Sequence, residues 1–193
     1  MFGARRLFGA PEERPTPPPA LVFEEVFEQQ LQFVWSNLRR LGVEPAQLDD
    51  ATQDVFVAVH RRLGAFVGGS MRAWLFQFVV RVAATHRRTA HNANKLKGAE
   101  ALQPERTSGV DNSPAEQLEA KQHRDLLYRL LGELTEERRA IFVLAELEEL
   151  PMPEVAEALK LNLNTAYSRL REARRDLTEA ALRERAKETW RHR

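Results

Sequence analysis

Residues 153–175 read PEVAEALKLNLNTAYSRLREARR. Pro153 suits the first position of a helix, because its fixed φ is already helical and its missing N–H is not needed there. Val155, Ala156 and Leu159 follow at helical spacing. After a tight turn at 160–163 the apolar residues Ala166, Leu170, Ala173 and Leu177 recur at steps of three and four. Each set makes one buried stripe on a helix. A short helix at 153–159, a corner filled by Leu161 and Leu163, and a long helix with Asn164 as its expected N-cap make a helix-turn-helix. Lys160 stands where many such turns place glycine. The outer face of the second helix carries Thr165, Tyr167, Ser168, Arg169, Arg171, Arg174 and Arg175. In this motif the N-terminal end of the second helix enters the major groove, where arginine reads guanine and Ser or Thr reaches bases or phosphates. Free amides at that helix end also attract phosphate. A helical hairpin with a solvated arginine face is the competing reading.

Working outward, Pro151 and Pro153 bracket a break, and a helix starting at Thr135 carries Ile141, Phe142, Leu144 and Leu147. Ser113-Pro114-Ala115-Glu116 forms a capping box that opens a helix expected to reach Leu131 and stop at Gly132. Residues 113–185 thus make one helical module, with 186–193 as a tail. Residues 93–112 are poor in apolar side chains and hold Gly98, Pro104, Ser108, Gly109 and Asn112, so they read as a linker. Residues 20–92 make a second module of three helices. In the first, at 21–41, Leu21, Val22, Val26, Phe27, Leu31, Val34, Trp35 and Leu38 recur at helical spacing, and Gly42 ends it. A helix capped by Asp49 aligns Val55, Phe56, Val59 and Leu63 before the break at Gly64 and Gly68-Gly69. A long helix capped by Ser70 buries Met71, Trp74, Leu75, Phe78, Val79 and Val82. Residues 1–19 hold five prolines and read as an extended tail. No segment alternates with period two. The expected fold is all-α: two small helical domains joined by a flexible linker, the C-terminal one a helix-turn-helix.

Composition narrows the function. The 193 residues include no cysteine, which excludes a disulfide scaffold, a thiolate metal site and a cysteine nucleophile. No apolar run approaches the ~20 residues that span a bilayer, and no apolar stretch follows Arg5-Arg6 as a secretory signal requires. The chain is expected to be soluble and cytoplasmic, without membrane insertion. Its net charge of +1 hides strong segregation. Residues 24–54 carry seven acids against two arginines, whereas residues 55–99 carry eight bases and no acid. Acids then dominate 115–160 and bases 161–193. Two acidic-then-basic blocks suggest two modules, each with one face toward a polyanion.

On the long helix of the first module, Gln77, Arg81, Thr85, Arg88 and Asn92 form a polar stripe away from the apolar face. Phe66 and Gly68-Gly69 precede it, so a pliable loop with an aromatic lies beside a basic helix. Cations that track phosphates and aromatics that stack bases are how unpaired nucleic acid is held. Trp74 and Phe76 could also stack bases, although aromatics at helical spacing are more often core. The five histidines (His60, His86, His91, His123 and His192) show no metal-ligand spacing, and His60 and His86 read as solvated polar groups. Asp49, Asp50 and Asp54 cluster on one helix, which admits a metal-dependent nuclease but fits capping or a basic partner better. No catalytic residue, metal site or cofactor is expected.

LDDATQDVF at 48–56, MRAWLF at 71–76 and HRR at 86–88 resemble domain 2 of bacterial extracytoplasmic-function sigma factors. LTEERRAIF at 134–142, EVA at 154–156 and NTAYSRLREAR at 164–174 resemble domain 4. The resemblance implies roles. Asp50, Gln53, Asp54 and Phe56 match the surface that docks on the β′ coiled coil of core RNA polymerase, with the β flap as the second contact. Phe66, Gly69, Ser70, Arg72, Arg81, Thr85 and Arg88 match the region that captures the single-stranded −10 element, at a cost in unstacking. Asn164, Thr165, Tyr167, Ser168, Arg169, Arg171, Arg174 and Arg175 match the reader of the duplex −35 element. An anti-sigma factor is a further partner that the resemblance admits. Arg81 stands where many members have Asn, Thr85 where Asp is common, Glu172 where Arg is frequent, and Ala166 where Val is usual. The expected function is therefore to direct polymerase to promoters and to help open them. The alternative is a stand-alone helix-turn-helix regulator whose N-terminal helices dimerise.

Overall fold

The computed structural model describes residues 22–97 and 114–191, and every regular element among them is helical. Helix α1 spans Phe23–Arg40, with Glu24 and Glu25 in its first turn and Arg39 and Arg40 in its last, charges that complement the helix dipole. It ends as the sequence indicates. Gly42 has φ of 89°, its N–H bonds the Arg39 carbonyl, and the Val43 N–H reaches back to Leu38, with Leu38 and Val43 both fully buried. Helix α2 spans Leu48–His60 and is entered through a tight turn at Pro45–Gln47. Because Pro45 starts this turn, the chain is already helical before Asp49. That residue therefore sits in the first turn beside Asp50 instead of capping the helix as expected.

Helix α3 spans Met71–Lys97, and the Ser70 hydroxyl accepts the Ala73 N–H at 3.2 Å, the cap read from the sequence. It continues five residues into the expected linker. Helix α4 spans Pro114–Glu133; Ser113 of the capping box lies outside the described residues. Gly132 does not take a positive φ, so the helix passes through it, and the chain leaves at Leu134, which is buried. Helix α5, Glu136–Phe142, starts at Thr135 as expected and widens into a looser turn over Val143–Leu147. Helix α6 spans Met152–Ala158, and helix α7 spans Leu163–Arg191 through most of the expected tail. The α7 cap is Asn162, whose Oδ1 accepts the Thr165 N–H at 2.7 Å, and not Asn164. A cap must lie three residues before the amide it serves, and Asn164 is already inside the helix. Lys160 has φ of 54°, the conformation its position implies, while Leu163 is exposed and not part of the corner.

Val34, Leu38, Val55, Val59, Leu75, Phe76 and Val79 fill the space between α1, α2 and α3. Ile141, Leu144, Val155, Ala166 and Ala173 do the same for α5, α6 and α7. These two groups of helices are not separate bodies: α3 packs on α6, and the buried residues form one continuous core. Polar contacts seal the junction. The Leu41 carbonyl accepts from Arg87 at 2.9 Å and from Arg139 at 3.1 Å. Arg139 also donates to the Gly132 and Leu134 carbonyls at 3.0 and 3.2 Å. A Cβ at position 42 would lie 2.5 Å from Arg139 Nη1, so both space and φ demand glycine. Glu148 accepts from Asn37 at 3.0 Å and from Arg40, with Arg72 at 3.7 Å. Arg87 pairs with Glu136 at 2.8 Å, and Arg39 lies 4.5 Å from the Tyr128 ring centre.

Burial pulls the Arg139 pKa below the ordinary arginine value, with the Arg87 charge adding to the effect and Glu136 opposing it. The guanidinium stays charged and is held by carbonyl dipoles. Arg139→Ala should therefore leave buried carbonyls without donors and lower the unfolding free energy by about 1–3 kcal/mol. Urea unfolding followed by circular dichroism measures this; a loss under about 0.5 kcal/mol would mean that water replaces the guanidinium.

Candidate nucleic-acid and protein-docking surfaces

The N-terminal half of α7 presents Asn164, Tyr167, Ser168, Arg171, Arg174 and Arg175 to solvent, with Thr165 and Arg169 half-buried beside them. Most of its arginines are held by acids. Arg169 pairs with Glu137 at 3.1 Å, Arg174 with Glu146 at 2.6 Å and Arg175 with Asp176 at 3.4 Å. Arg171 has no carboxylate partner among the described residues. On the opposite side Arg138 of α5 binds Glu172 at 2.7 Å and also Asp176. Hydrogen bonding to Glu172, then to Asp176, raises the Arg138 pKa. Glu172, which the family pattern would make an arginine near DNA, therefore faces α5 and sets the rotation of α7.

On α3, Arg81, Thr85, Arg88 and Asn92 are exposed along one face and Gln77 is half-buried, as the stripe implied. Phe66 packs edge-on against Trp74 at 5.4 Å between ring centres, and Trp74 against Phe78 at 4.8 Å. Phe76 is fully buried, so it cannot stack a base; only Trp74 of that expected pair reaches the surface. Gly68 and Gly69 have φ of 103° and 89°, conformations open to glycine. Between Phe66 and these glycines Val67 is 99% exposed, an apolar loop tip that helical periodicity could not single out. Arg72 is exposed, close to Glu148 and 5.4 Å from the Phe33 ring centre.

On α2, Asp49, Asp50, Gln53 and Asp54 are exposed in a row. Phe56 is not part of that surface: it is 3% exposed and packs on Phe27 at 4.7 Å and Phe23 at 6.3 Å. Asp54 bonds His86 of α3 at 2.9 Å, so His86 is a paired group instead of a solvated one. His60 meets the Phe23 ring edge-on at 4.9 Å. Because Asp54 turns to His86, the acids do not converge, and no metal cluster forms among the described residues. Beside the acids runs an open groove of about 1170 Å³ between α1 and α2, lined by Phe27, Leu31, Trp35 and Val57 and closed by Tyr128 of α4. Val22, Phe27 and Leu31, which periodicity assigns to a buried face, are exposed, although Phe27 packs on Phe56 of α2; Phe27 and Leu31 line the open groove. Among the described residues no helix is long and apolar enough to cross a membrane.

Two regions of this chain match described families: residues 26–92 match Sigma-70 region 2, and residues 124–177 match Sigma-70 region 4. The RNA polymerase sigma factor CnrH of Cupriavidus metallidurans is 30% identical over 145 residues, covering 72% of this chain and 76% of its own. The ECF RNA polymerase sigma factor SigK of Mycobacterium sp. (strain JLS) is 28% identical, over 80% of each chain. Among solved structures, CnrH in complex with the cytosolic domain of CnrY has a TM-score of 0.60 at 22% identity, covering 82% of this chain and 86% of that one. The sigma factor RpoE of Bartonella quintana, in complex with the anti-sigma factor NepR, has a TM-score of 0.61 at 18% identity, covering 81% and 94%. A region 2 followed by a region 4 in one chain defines a transcription initiation factor. The chain belongs to the sigma-70 family of RNA polymerase sigma factors, within its extracytoplasmic-function group. Its N-terminal helices thus form a sigma region and not the dimerisation domain of a stand-alone regulator.

The Arg138 pairs make Glu172 a structural residue. Glu172→Arg, which restores the residue frequent in the family, should lower the thermal midpoint by placing a second cation against Arg138. Thermal unfolding by circular dichroism checks this. An unchanged midpoint would show that Asp176 alone holds α5 to α7.

Proposed function

We propose that the sigma activity of this chain is divided among three surfaces. The α2 row of Asp50, Gln53 and Asp54, with the adjoining apolar groove, docks on the β′ coiled coil of core polymerase. The Phe66 loop with Gly69, Ser70, Arg72, Arg81, Thr85 and Arg88 captures the unpaired −10 strand. The face of α7 from Asn164 to Arg175 reads the −35 duplex, and its module meets the β flap. The protein acts by binding, in the cytoplasm, without catalytic groups of its own. An anti-sigma factor is its natural antagonist, a reading supported by the two similar structures, each solved with such a partner.

The observation that carries this reading is Arg171: it is exposed at the entry end of a helix-turn-helix, and no acid holds it while its neighbours are held. In vitro transcription with core polymerase on a genomic promoter library is the test. Specific transcripts that depend on added protein are expected, and their absence would overturn the assignment.

Asp54 is committed to His86, so Asp50→Ala with Gln53→Ala is the cleaner probe of docking. Exposed polar residues contribute little to stability, whereas interface polar contacts are worth a few kcal/mol. Co-purification with core polymerase should fall while helicity is unchanged; full retention would move the docking surface elsewhere. Arg171→Ala should weaken binding to −35 duplex. A base contact would cost about 1–3 kcal/mol of sequence discrimination. A phosphate contact would instead weaken all duplexes alike and reduce the salt slope by about one unit. Unchanged binding to every duplex would place the reading face elsewhere on α7.

A further inference from the structure

Asp54 of α2 and His86 of α3 differ sharply in exposure: the carboxylate side chain is 63% exposed and the ring 16%. His86 Nε2 lies 2.9 Å from Asp54 Oδ2. A carboxylate only accepts, so the ring donates from Nε2. Among the described residues this is the one side-chain hydrogen bond between α2 and α3. Nothing on α2 could take its place. Within four residues of Asp54 the only other charged side chain on that helix is Asp50, one turn earlier, and Ala58 stands one turn later. Like charges at i and i+4 repel, so Asp50 cannot hold Asp54. Arg87, the next residue on α3, is engaged by the Leu41 carbonyl at 2.9 Å and by Glu136 at 2.8 Å. His86 is thus the group that fixes this carboxylate.

We propose that His86 is a positioning residue for polymerase docking: it sets the Asp54 carboxylate in the row with Asp50 and Gln53, ready for a donor on the polymerase. This rests on the reading of that row as the docking surface. An exposed aspartate left to itself spreads over several rotamers, and a partner that needs one of them bears the cost of losing the others. The largely covered His86 ring has little freedom of its own, so its hydrogen bond selects the Asp54 rotamer before polymerase arrives. Oδ2 is taken by His86, while Oδ1 has no partner among the described residues and stays open to an incoming donor. The fold does not depend on the bond. Val55 and Val59 of α2 and Leu75 and Val79 of α3 are fully buried and hold the two helices together, whereas a pair with one exposed member adds little to stability.

The test measures the affinity of the full chain for core polymerase, with thermal unfolding of each variant followed by circular dichroism. His86→Phe keeps a ring but loses the donor, and should weaken polymerase binding about two- to tenfold, the cost of one side chain left unfixed. His86→Gln offers an amide N–H near the Nε2 position and should restore most of that loss. In an Asp54→Ala background His86→Phe should have no further effect, because the residue through which it acts is gone. Thermal midpoints should stay close to that of the wild type throughout. If Asp54→Ala weakens binding and His86→Phe does not, the positioning role is overturned. An equal effect of His86→Phe with and without Asp54, or no rescue by glutamine, overturns it too and makes His86 a contact in its own right. A midpoint that falls in step with affinity also overturns it and assigns the loss to folding. If neither Asp54→Ala nor Asp50→Ala with Gln53→Ala weakens binding, the docking reading itself fails, and this inference with it.

Discussion

One carbonyl oxygen, that of Leu41, organises much of this molecule. It lies at the Gly42 corner after α1, and the Arg87 and Arg139 guanidinium groups reach it from α3 and α5. Gly42 admits Arg139 because it has no side chain to occupy the space. Arg139 in turn carries the carbonyls that end α4, so a single buried cation joins the close of α1, the close of α4 and the start of α5. Buried polar groups of this kind are tolerated only when satisfied. Here the Leu41, Gly132 and Leu134 carbonyls all find donors, while the buried Nε atoms of Arg87 and Arg139 have no partner among the described residues. Arg138, the neighbouring residue, then fixes α7 against α5 through Glu172 and Asp176.

A second organising rule is the sorting of arginines by acid content. In the C-terminal helices acids alternate with bases, and Arg169, Arg174 and Arg175 are each held in place. In residues 55–99 no acid is present, and only contacts from elsewhere restrain the cations: Arg72 by Glu148 and Arg87 by Glu136. Held arginines have a defined direction, whereas unpaired ones such as Arg171 keep their rotamer freedom.

Sequence periodicity located the seven helices of the described residues because each carries an apolar stripe, and it placed the Thr135 and Ser70 caps because each hydroxyl stands three residues before the amide it accepts from. It missed where caps compete: Asn162 and Asn164 are equally good chemically, and only the path of the corner decides between them. It put Phe56 on a docking face because a motif names residues and not their depth, whereas the Phe23 and Phe27 rings enclose it. The Asp54–His86 pair, 32 residues apart, and the joining of the two helical groups depend on tertiary placement that no local pattern encodes. Charge segregation, by contrast, was fully legible, since exposure follows almost automatically for unpaired arginines.

The shared core makes each helical group a support for the other. Because α3 packs on α6 and the buried residues are continuous, a cavity opened at that contact is felt by both groups.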